Sequence, residues 1–209
     1  MSMGAALSSA SGALSSSQTK TFDIVILGLD DAGKTSLINR LKAPGLLVGA
    51  LPEATPTFAF ESESISYGDN HITLWEMGGH EKLRPLWRSF MWKGHAHMFV
   101  VDATAPARFA EAKEELDRLL GELRLREHAH PVLVVANKID APGAPQLPEI
   151  SRALDIESLA QGDRLVGLKS TSATSGEGVQ EVMDWFVANV SHDQIARHNE
   201  YKAEVQANQ

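Results

Sequence analysis

The clearest chemical pattern in the chain is the segment GLDDAGKTS at residues 28–36. It follows the apolar run at residues 22–27 and precedes residues 34–41, which have helical spacing, as a phosphate-binding loop requires. Gly28 and Gly33 allow the backbone to turn, so that successive N–H groups point into one concavity. Lys34 would reach the β- and γ-phosphates of a nucleotide, and the Thr35 hydroxyl would bind Mg²⁺. The residues predicted to bind the nucleotide here are Asp30, Asp31, Ala32, Gly33, Lys34, Thr35 and Ser36.

A second pattern, NKID at residues 137–140, ends an apolar run. The Asp140 carboxylate can accept two hydrogen bonds from guanine, from donors that adenine does not present at those positions. The stem of Lys138 can lie along the base, and Asn137 can connect the motif to the phosphate loop. The backbone of three later residues, Ser172, Ala173 and Thr174, can meet the guanine oxygen. Following a phosphate loop, this pattern predicts a guanine nucleotide.

The elements between these motifs alternate between apolar runs and helical patterns. Strands are predicted at residues 22–27, 57–66, 71–76, 98–102, 132–137 and 164–169, and helices at residues 34–41, 81–92, 107–126, 148–154 and 177–190. This alternation predicts an α/β domain, in which a mostly parallel sheet has helices on both faces. Ligands of such sheets lie at the carboxyl ends of the strands, where both motifs fall.

Composition limits the classes of function. The chain has 209 residues, of which 43% are hydrophobic and 22% charged, as expected for one α/β domain with a sizeable core. A net charge of −8 argues against binding to nucleic acid, which needs clustered Lys and Arg. The absence of cysteine excludes disulfides, thiolate metal sites and a cysteine nucleophile. The pairs His95/His97 and His128/His130 have a metal-ligand spacing, but they lack nearby carboxylate partners, so we expect no metal there.

Both ends of the chain differ from the central part. Residues 1–20 are rich in Ser, Ala and Gly and predict a flexible segment. If translation starts at Met3, Gly4 fits the pattern for N-myristoylation, which would give weak, reversible membrane binding. A solvated tail without a lipid is the alternative. Residues 192–209 predict a polar C-terminal tail, either a solvated helix or disordered.

The motifs GLDDAGKTS, PTFAF, WEMGGHEKLRPLW, VVDAT, NKID and TSATSGEG, in this order, resemble the small GTPases of the ADP-ribosylation-factor and ADP-ribosylation-factor-like family. The resemblance covers residues 21–191. It implies a three-layer P-loop NTPase fold with a six-stranded, mostly parallel sheet, and a cycle between GTP and GDP with Mg²⁺. Thr57 would be the switch I threonine that binds Mg²⁺ when the γ-phosphate is present, and Gly79 would contact that phosphate from switch II. Losing these contacts on hydrolysis would release both segments.

The sequence departs from the family pattern at three places. Glu76 replaces the usual aspartate that holds the water shell of Mg²⁺, and because it is one methylene longer, we expect weaker binding of metal and nucleotide. His80 replaces the usual glutamine; a neutral imidazole nitrogen can accept a hydrogen bond from the attacking water, and the alternative is a surface histidine without a role. Switch I is several residues longer than usual, and Ala59 replaces the glycine of P-T-x-G-F.

Together these features predict a guanine-nucleotide switch that recruits effectors in its GTP state, in the cytoplasm or at the surface of an internal membrane, in membrane traffic. The predicted catalytic residues are Lys34, Thr57 and His80, and the predicted metal ligands are Thr35, Thr57 and Glu76. Switch I contains no arginine, so we expect slow hydrolysis that needs an arginine from an activating protein.

Three aromatic residues at the family's effector positions, Phe60, Trp75 and Phe90, predict a surface for exchange factors, activating proteins and effectors, unless Trp75 and Phe90 only pack the core. We expect Trp87 and Trp92 to pack. The alternative function is a nucleotide-regulated scaffold with little hydrolysis. A small-molecule kinase would not explain NKID.

Overall fold

The computed structural model describes residues 19–43, 45, 55–124, 130–161 and 165–207. The predicted acylation site at Gly4, most of the long switch I loop (44 and 46–54) and His128 lie outside these residues. The strands are β1 (Thr21–Leu27), β2 (Phe60–Tyr67), β3 (Asn70–Met77), β4 (Ala96–Asp102), β5 (Val132–Asn137) and β6 (Val166–Ser170). The α-helices are α1 (Lys34–Lys42), α2 (Trp87–Phe90), α3 (Phe109–Arg124), α4 (Leu147–Ala153), α5 (Ile156–Leu159), α6 (Val179–Asn189) and α7 (His192–Ala207).

The strands form one six-stranded sheet in the order β2-β3-β1-β4-β5-β6. Only β2 is antiparallel to its neighbour, β3; the other four pairings are parallel. This confirms the predicted six-stranded, mostly parallel sheet. Since parallel strands point the same way, their carboxyl ends meet at one edge, where the loops after β1, β3, β5 and β6 carry the predicted motifs.

The core lies in two layers, one on each face of the sheet. Along β1, Ile24 and Ile26 face one layer and Val25 and Leu27 face the other, which is the period-two alternation of a strand buried on both faces. The first layer is completed by side chains of α1 and α6, and the second by side chains of α3 and α4. The predicted three-layer α/β fold is therefore confirmed.

The helix predicted over residues 81–92 is interrupted. A 3-10 helix covers Glu81–Leu86, α2 has only four residues, and a second 3-10 turn covers Met91–Lys93. Pro85 lies inside the first 3-10 helix, where it lacks the N–H that a regular α-helix would use. Switch II is consequently built from short turns rather than one helix.

Most of residues 192–209, predicted as a polar tail, form helix α7. Its outer face is exposed, but the side chain of His198 is only 2% exposed and contacts the rings of His95 and His130 at centroid distances of 4.5 and 4.9 Å. Lys202 also forms an ion pair of 2.6 Å with Asp23 of β1. The helix therefore packs on the amino-terminal edge of the sheet, opposite the predicted motifs.

The described part of the chain contains no helix that is both long enough and apolar enough to cross a membrane.

Candidate nucleotide-binding site

The phosphate loop connects β1 to α1 through two glycines with positive φ. Gly28 has φ 138°, and a Cβ there would collide with the carbonyl oxygen of Val100 in β4. Gly33 has φ 86°, precedes the first residue of α1, and would collide with the side-chain amide of Asn137 if it carried a Cβ. Other residues adopt such φ values at a cost, so both positions require glycine. The loop is thereby held close to β4 and to the NKID motif.

Lys34 lies in the floor of this loop with 5% of its surface exposed. Its ammonium donates to the carbonyl oxygens of Gly28 and Leu29, at 2.9 and 2.8 Å. Burial lowers the pKa of Lys34 to about 8, although Glu76 and Asp30 act in the opposite direction. A phosphate at this position would supply the negative charge that the buried ammonium lacks.

The three predicted metal ligands converge. Thr35 donates to Glu76 Oε1 at 2.6 Å, Thr57 donates to the same oxygen at 3.1 Å, and the two hydroxyl oxygens are 3.4 Å apart. Glu76 is 3% exposed, and burial raises its pKa despite these hydrogen bonds. Oxygen ligands with one carboxylate match the preference of Mg²⁺, so the donor set fits this ion.

Switch II lies against the phosphate loop at Gly79. A Cβ on Gly79 would collide with the backbone of Leu29 and Asp30 and would come 2.5 Å from Lys34 Nζ. The end of switch I is held by a hydrogen bond from Gly78 N to Ala59 O of 2.9 Å, and Ala59 has φ 70°. The end of switch I and the start of switch II therefore both lie close to the phosphate loop in this structure.

His80, the predicted catalytic residue, is exposed at the start of the 3-10 helix of switch II. Its Nδ1 accepts from Lys82 N at 3.3 Å. A neutral imidazole whose Nδ1 accepts carries its proton on Nε2, and that nitrogen can only donate. In this conformation His80 therefore has no nitrogen with which to accept a hydrogen bond from water.

These groups line one cleft of about 530 Å³. Its walls are the phosphate loop, the end of switch I, Glu76, the start of switch II and Lys138. Ten residues predicted from the sequence to belong to the phosphate, metal or catalytic sites line this cleft: Asp30, Asp31, Gly33, Lys34, Thr35, Ser36, Thr57, Glu76, Gly79 and His80. Ala32 is also in the loop, but its side chain is buried beneath it at 1% exposed.

Asn137 connects the phosphate loop to the base motifs, as the sequence predicted. Its side-chain N–H donates to Ala32 O at 3.0 Å, and its Oδ1 accepts from Thr171 Oγ1 and from Ala173 N, both at 3.1 Å. The residue is 1% exposed. A single amide therefore fixes the relative positions of three segments that come from distant parts of the chain.

The other residues predicted to bind the base lie around Asn137. Lys138 has φ 68° and its ammonium donates to Asp102 at 2.7 Å, while Asp140 is exposed beside it. Ser172 is fully buried and Thr174 is exposed. The Asp140 carboxylate thus remains accessible to a base.

Arg40 was not predicted as a site residue. It lies in the last turn of α1, is 1% exposed, and donates through Nε to Ala173 O at 2.8 Å and through its terminal nitrogen to Thr174 O. It thereby holds the backbone of the segment predicted to meet guanine. The only sequence signal was an arginine on a helix that follows a phosphate loop, which is too common to be informative.

A pair of arginines that the sequence analysis also missed holds Asp30. Arg108 donates to Asp30 Oδ1 at 2.8 Å and to its carbonyl at 3.0 Å, and Arg84 lies 3.5 Å from the same carboxylate oxygen. Arg84 also donates to Gly79 O at 2.9 Å and to Glu111 of α3 at 2.7 Å. The hydrogen bond from Arg108 lowers the pKa of Asp30. The side chain of Asp30 therefore binds arginines, and the loop, switch II and α3 form one connected network.

The three predicted effector residues form an aromatic cluster. Phe60 is 43% exposed and its ring centroid lies 4.4 Å from that of Phe90 and 6.2 Å from that of Trp75. Trp75 and Phe90 are half-buried and pack against the core, so the cluster has an exposed ring on a supported base. Trp87 is buried and donates to Gly78 O at 2.9 Å, which confirms its predicted packing role.

Among the described residues, no group of three or more His, Asp or Glu side chains is arranged to hold a metal ion. His95 and His97 lie at the amino-terminal edge of the sheet instead. His95 Nδ1 accepts from Asp23 N at 2.9 Å, and its other ring nitrogen is 3.2 Å from Asn199 Oδ1 of α7. Burial lowers the pKa of His95 to about 4 and that of His198 to about 3. His95 and His198 are thus neutral packing groups at pH 7.

Comparison with known proteins was made on the sequence and on the fold. A model of the ADP-ribosylation factor family matches residues 8–190 of the chain. The chain belongs to this family.

Two solved structures place this member of the Arf family among its relatives. It is similar to the Arl6 BBS3 small GTPase from Trypanosoma brucei, solved with the bound nucleotide analogue GppNp. That comparison has 30% identity and a TM-score of 0.70 over 82% of this chain and 99% of the other. It also resembles the structure of the mammalian SRP receptor, with 24% identity and a TM-score of 0.69 over 79% of this chain and 98% of the other. The second likeness shows the fold alone. Membership of the Arf family supports a GTP-binding switch with GTPase activity, and GTP and GDP as its nucleotides.

Proposed function

We propose that this Arf-family chain binds GTP and GDP in the cleft between the phosphate loop and the switches, hydrolyses GTP slowly, and recruits effectors in the GTP state. The observation that carries the proposal is the convergence of Lys34, Thr35, Thr57, Glu76 and Gly79 on one cleft of about 530 Å³. The folded core of the switch is assigned to residues 21–191, and helix α7 packs on it through His198 and Lys202.

Each residue of the cleft has a role that follows from its position. Lys34 neutralises the β- and γ-phosphates, and the N–H groups of residues 30–36 donate to phosphate oxygens. Gly79, which lies beside Lys34, donates its N–H to the γ-phosphate. Asp140 accepts from guanine, while Arg40 and Asn137 hold the backbone that meets the guanine oxygen. Loss of the γ-phosphate removes the contact of Gly79 and frees switch II.

The metal site of the proposal consists of Thr35, Thr57 and Glu76. Bound Mg²⁺ would neutralise the charge that develops on the β- and γ-phosphates. The two threonines come from the start of α1 and from switch I, so the hydroxyl of Thr57 reports whether switch I is closed.

Hydrolysis distinguishes the two candidate functions, a GTPase switch and a nucleotide-regulated scaffold. Arg84 and Arg108 are the arginines bonded to the phosphate loop, and both are occupied by Asp30 and Glu111, which supports a requirement for an arginine from an activating protein. The Nδ1 of His80 is occupied by Lys82 N, which favours the second candidate, a nucleotide-regulated scaffold with little hydrolysis. Catalysis by His80 requires that this hydrogen bond break.

Partner binding is assigned to the aromatic cluster of Phe60, Trp75 and Phe90 beside the switches, because an exposed aromatic ring on a packed base is a typical anchor for a partner. A cytoplasmic role in membrane traffic, at the surface of an internal membrane, would follow if Gly4 is myristoylated. Mass spectrometry of the chain made together with an N-myristoyltransferase, starting at Met3, tests that part, and an unmodified glycine favours the solvated tail.

The base assignment is tested by replacing Asp140 with Asn. Guanine nucleotide affinity should fall by roughly 100-fold and xanthine nucleotide affinity should rise, because an amide matches the altered donor pattern of xanthine. Titration with fluorescent GDP and XDP measures both. Replacing Glu149, an acid of α4 in a capping box, with Gln is the control. An unchanged preference for guanine would remove Asp140 from the base site.

Hydrolysis is tested by single-turnover cleavage of bound GTP by the wild type and by His80→Gln, with and without cell extract. Slow cleavage that extract accelerates supports the switch. Bound nucleotide that extract never causes to be cleaved supports the scaffold, and fast cleavage by the purified wild type contradicts both.

A further inference from the structure

The carboxylate of Glu76 lies within hydrogen-bond distance of both threonine hydroxyls. One oxygen, Oε1, is 2.6 Å from Thr35 Oγ1 and 3.1 Å from Thr57 Oγ1, and the two hydroxyl oxygens are 3.4 Å apart. Three oxygen atoms from three different segments therefore form one small triangle.

The size of this triangle matches one face of an octahedron around Mg²⁺. Mg²⁺ binds oxygens at about 2.0–2.1 Å in near-ideal octahedral geometry, which puts neighbouring ligand oxygens about 3.0 Å apart. The three sides of 2.6, 3.1 and 3.4 Å bracket that value. A cation could therefore contact all three oxygens at once.

The extra methylene explains how the carboxylate reaches this position. Glu76 is fixed in β3, where it is paired with Ile26 of β1 and with Glu61 of β2, and its side chain is 3% exposed. Thr35 is fixed in the first turn of α1. With both backbones held, an aspartate at position 76 would end about one C–C bond further from the cation, so that a water molecule would lie between the carboxylate and the metal.

We propose that Glu76 binds the Mg²⁺ of the bound nucleotide directly, as a third protein ligand beside Thr35 and Thr57. The proposal rests on the proposed nucleotide function. It reverses the expectation from the sequence that Glu76 weakens metal binding, because a carboxylate that replaces a water ligand adds a negative charge to the cation's first shell. The two phosphate oxygens and three protein oxygens then leave one position for water.

The test counts the water ligands with Mn²⁺ as the probe, which takes the same oxygen ligands as Mg²⁺. The full chain is loaded with Mn²⁺ and a non-hydrolysable GTP analogue, and the EPR line broadening in ¹⁷O-enriched water gives the number of bound waters. The wild type should have one water ligand and Glu76→Asp should have two. The Kd of Mn²⁺ should rise roughly 10-fold in Glu76→Asp and in Glu76→Gln.

Glu61→Asp is the matched control, because it makes the same change at the β2 residue opposite Glu76 without touching the hydroxyls. It should keep one water. Two waters in the wild type overturn the proposal even if the variants do not fold, and so do equal counts in the wild type and Glu76→Asp. Failure of the wild type to bind Mn²⁺ and the nucleotide at all would instead overturn the proposed function.

Discussion

The two edges of the central sheet both bury ionisable side chains, but with opposite results. At the carboxyl edge, Lys34 and Glu76 lie beside each other, and burial lowers the pKa of the first to about 8 and raises that of the second. At the amino edge, burial lowers the pKa of His95 to about 4 and that of His198 to about 3. Lys34 therefore stays mostly charged at pH 7, whereas His95 and His198 are neutral.

The difference follows from the surroundings. Lys34 and the oxygens of Thr35, Thr57 and Glu76 face an open cleft, so a charged ligand can complete their interactions. The histidines contact one another where α7 packs on the sheet. The ring centroids of His95 and His198 are 4.5 Å apart. Burial of polar groups therefore indicates ligand binding at the edge that opens on a cleft, and packing at the edge covered by a helix.

Replacing Lys34 with Met should give the largest difference in GDP affinity between a variant at the carboxyl edge and one at the amino edge. The variant loses the charge that meets the phosphates, so affinity for GDP should fall on the order of 100-fold. Stability should change less than affinity, because Met removes a buried ammonium whose folded pKa is depressed but leaves the carbonyl oxygens of Gly28 and Leu29 without this donor. Titration with a fluorescent GDP measures the affinity. His198→Leu at the other edge is the control and should bind GDP like the wild type; a loss there would show that the edges are not independent.

Acidification should affect the amino edge next most strongly. The folded pKa values of His95 and His198 lie below the usual value of about 6.5, so the unfolded chain binds more protons below that pH. The free energy of unfolding is therefore lost as the pH falls through 6.5 towards 4, by about 2 kcal/mol per histidine between pH 7 and pH 5. Urea unfolding followed by far-UV circular dichroism measures this change.

His198→Leu should lose part of the pH dependence, since one of the two depressed histidines is gone. Replacing His192, which begins α7, with Leu serves as the matched histidine control. If all three proteins show the same dependence between pH 7 and pH 5, protonation of the amino edge does not control stability in that range.

Arg40→Met should produce a smaller effect at the carboxyl edge. The variant keeps most of the buried volume but loses the hydrogen bonds to Ala173 O and Thr174 O, so the backbone near guanine is held less firmly. We expect GDP affinity to fall roughly 10-fold, within the range for hydrogen bonds from a charged donor. Lys42→Met, two residues further along in the same last turn, is the control. Equal affinities for the two variants would remove Arg40 from the site.

Proton uptake at Lys34 should be the smallest effect. With a pKa of about 8, a sizeable fraction of Lys34 is neutral at pH 8, and a bound phosphate would raise the pKa and take up a proton. Calorimetric binding of GDP at pH 8 in two buffers of different ionisation enthalpy should reveal roughly half a proton taken up. Lys34→Met should take up none; uptake that persists in this variant would come from another group.

The sequence predicted the fold and the local motifs because each leaves a short-range signal. The alternation of Ile24, Val25, Ile26 and Leu27 between two layers, and the glycines at positive φ, are read from neighbouring residues. It did not predict contacts such as Arg40 to Ala173, which join residues 133 positions apart. No spacing rule connects such residues, since only the folded sheet brings them together.

The same limit applies to the amino edge and to Asp30. The polar composition of residues 192–209 gave no sign that His198 would be buried against His95, because a single histidine on a polar helix carries no pattern. Asp30 was predicted as part of the nucleotide site from its place in the loop, whereas its carboxylate binds arginines from two other segments. The sequence thus predicted which loop holds the site but not which residues hold the loop.

The strained backbone of Ala59 opposes the closed position of the end of switch I. Its φ of 70° is a conformation that costs a residue with a Cβ roughly 1 kcal/mol relative to glycine, and the family pattern has glycine at this position. In this structure the strained residue carries the carbonyl oxygen that accepts from Gly78 N, two residues beyond Thr57, which donates to Glu76. An open switch I in which residue 59 leaves this conformation would release the strain, so we expect the closed state to be less populated at a given nucleotide occupancy than with glycine, by a factor of about five.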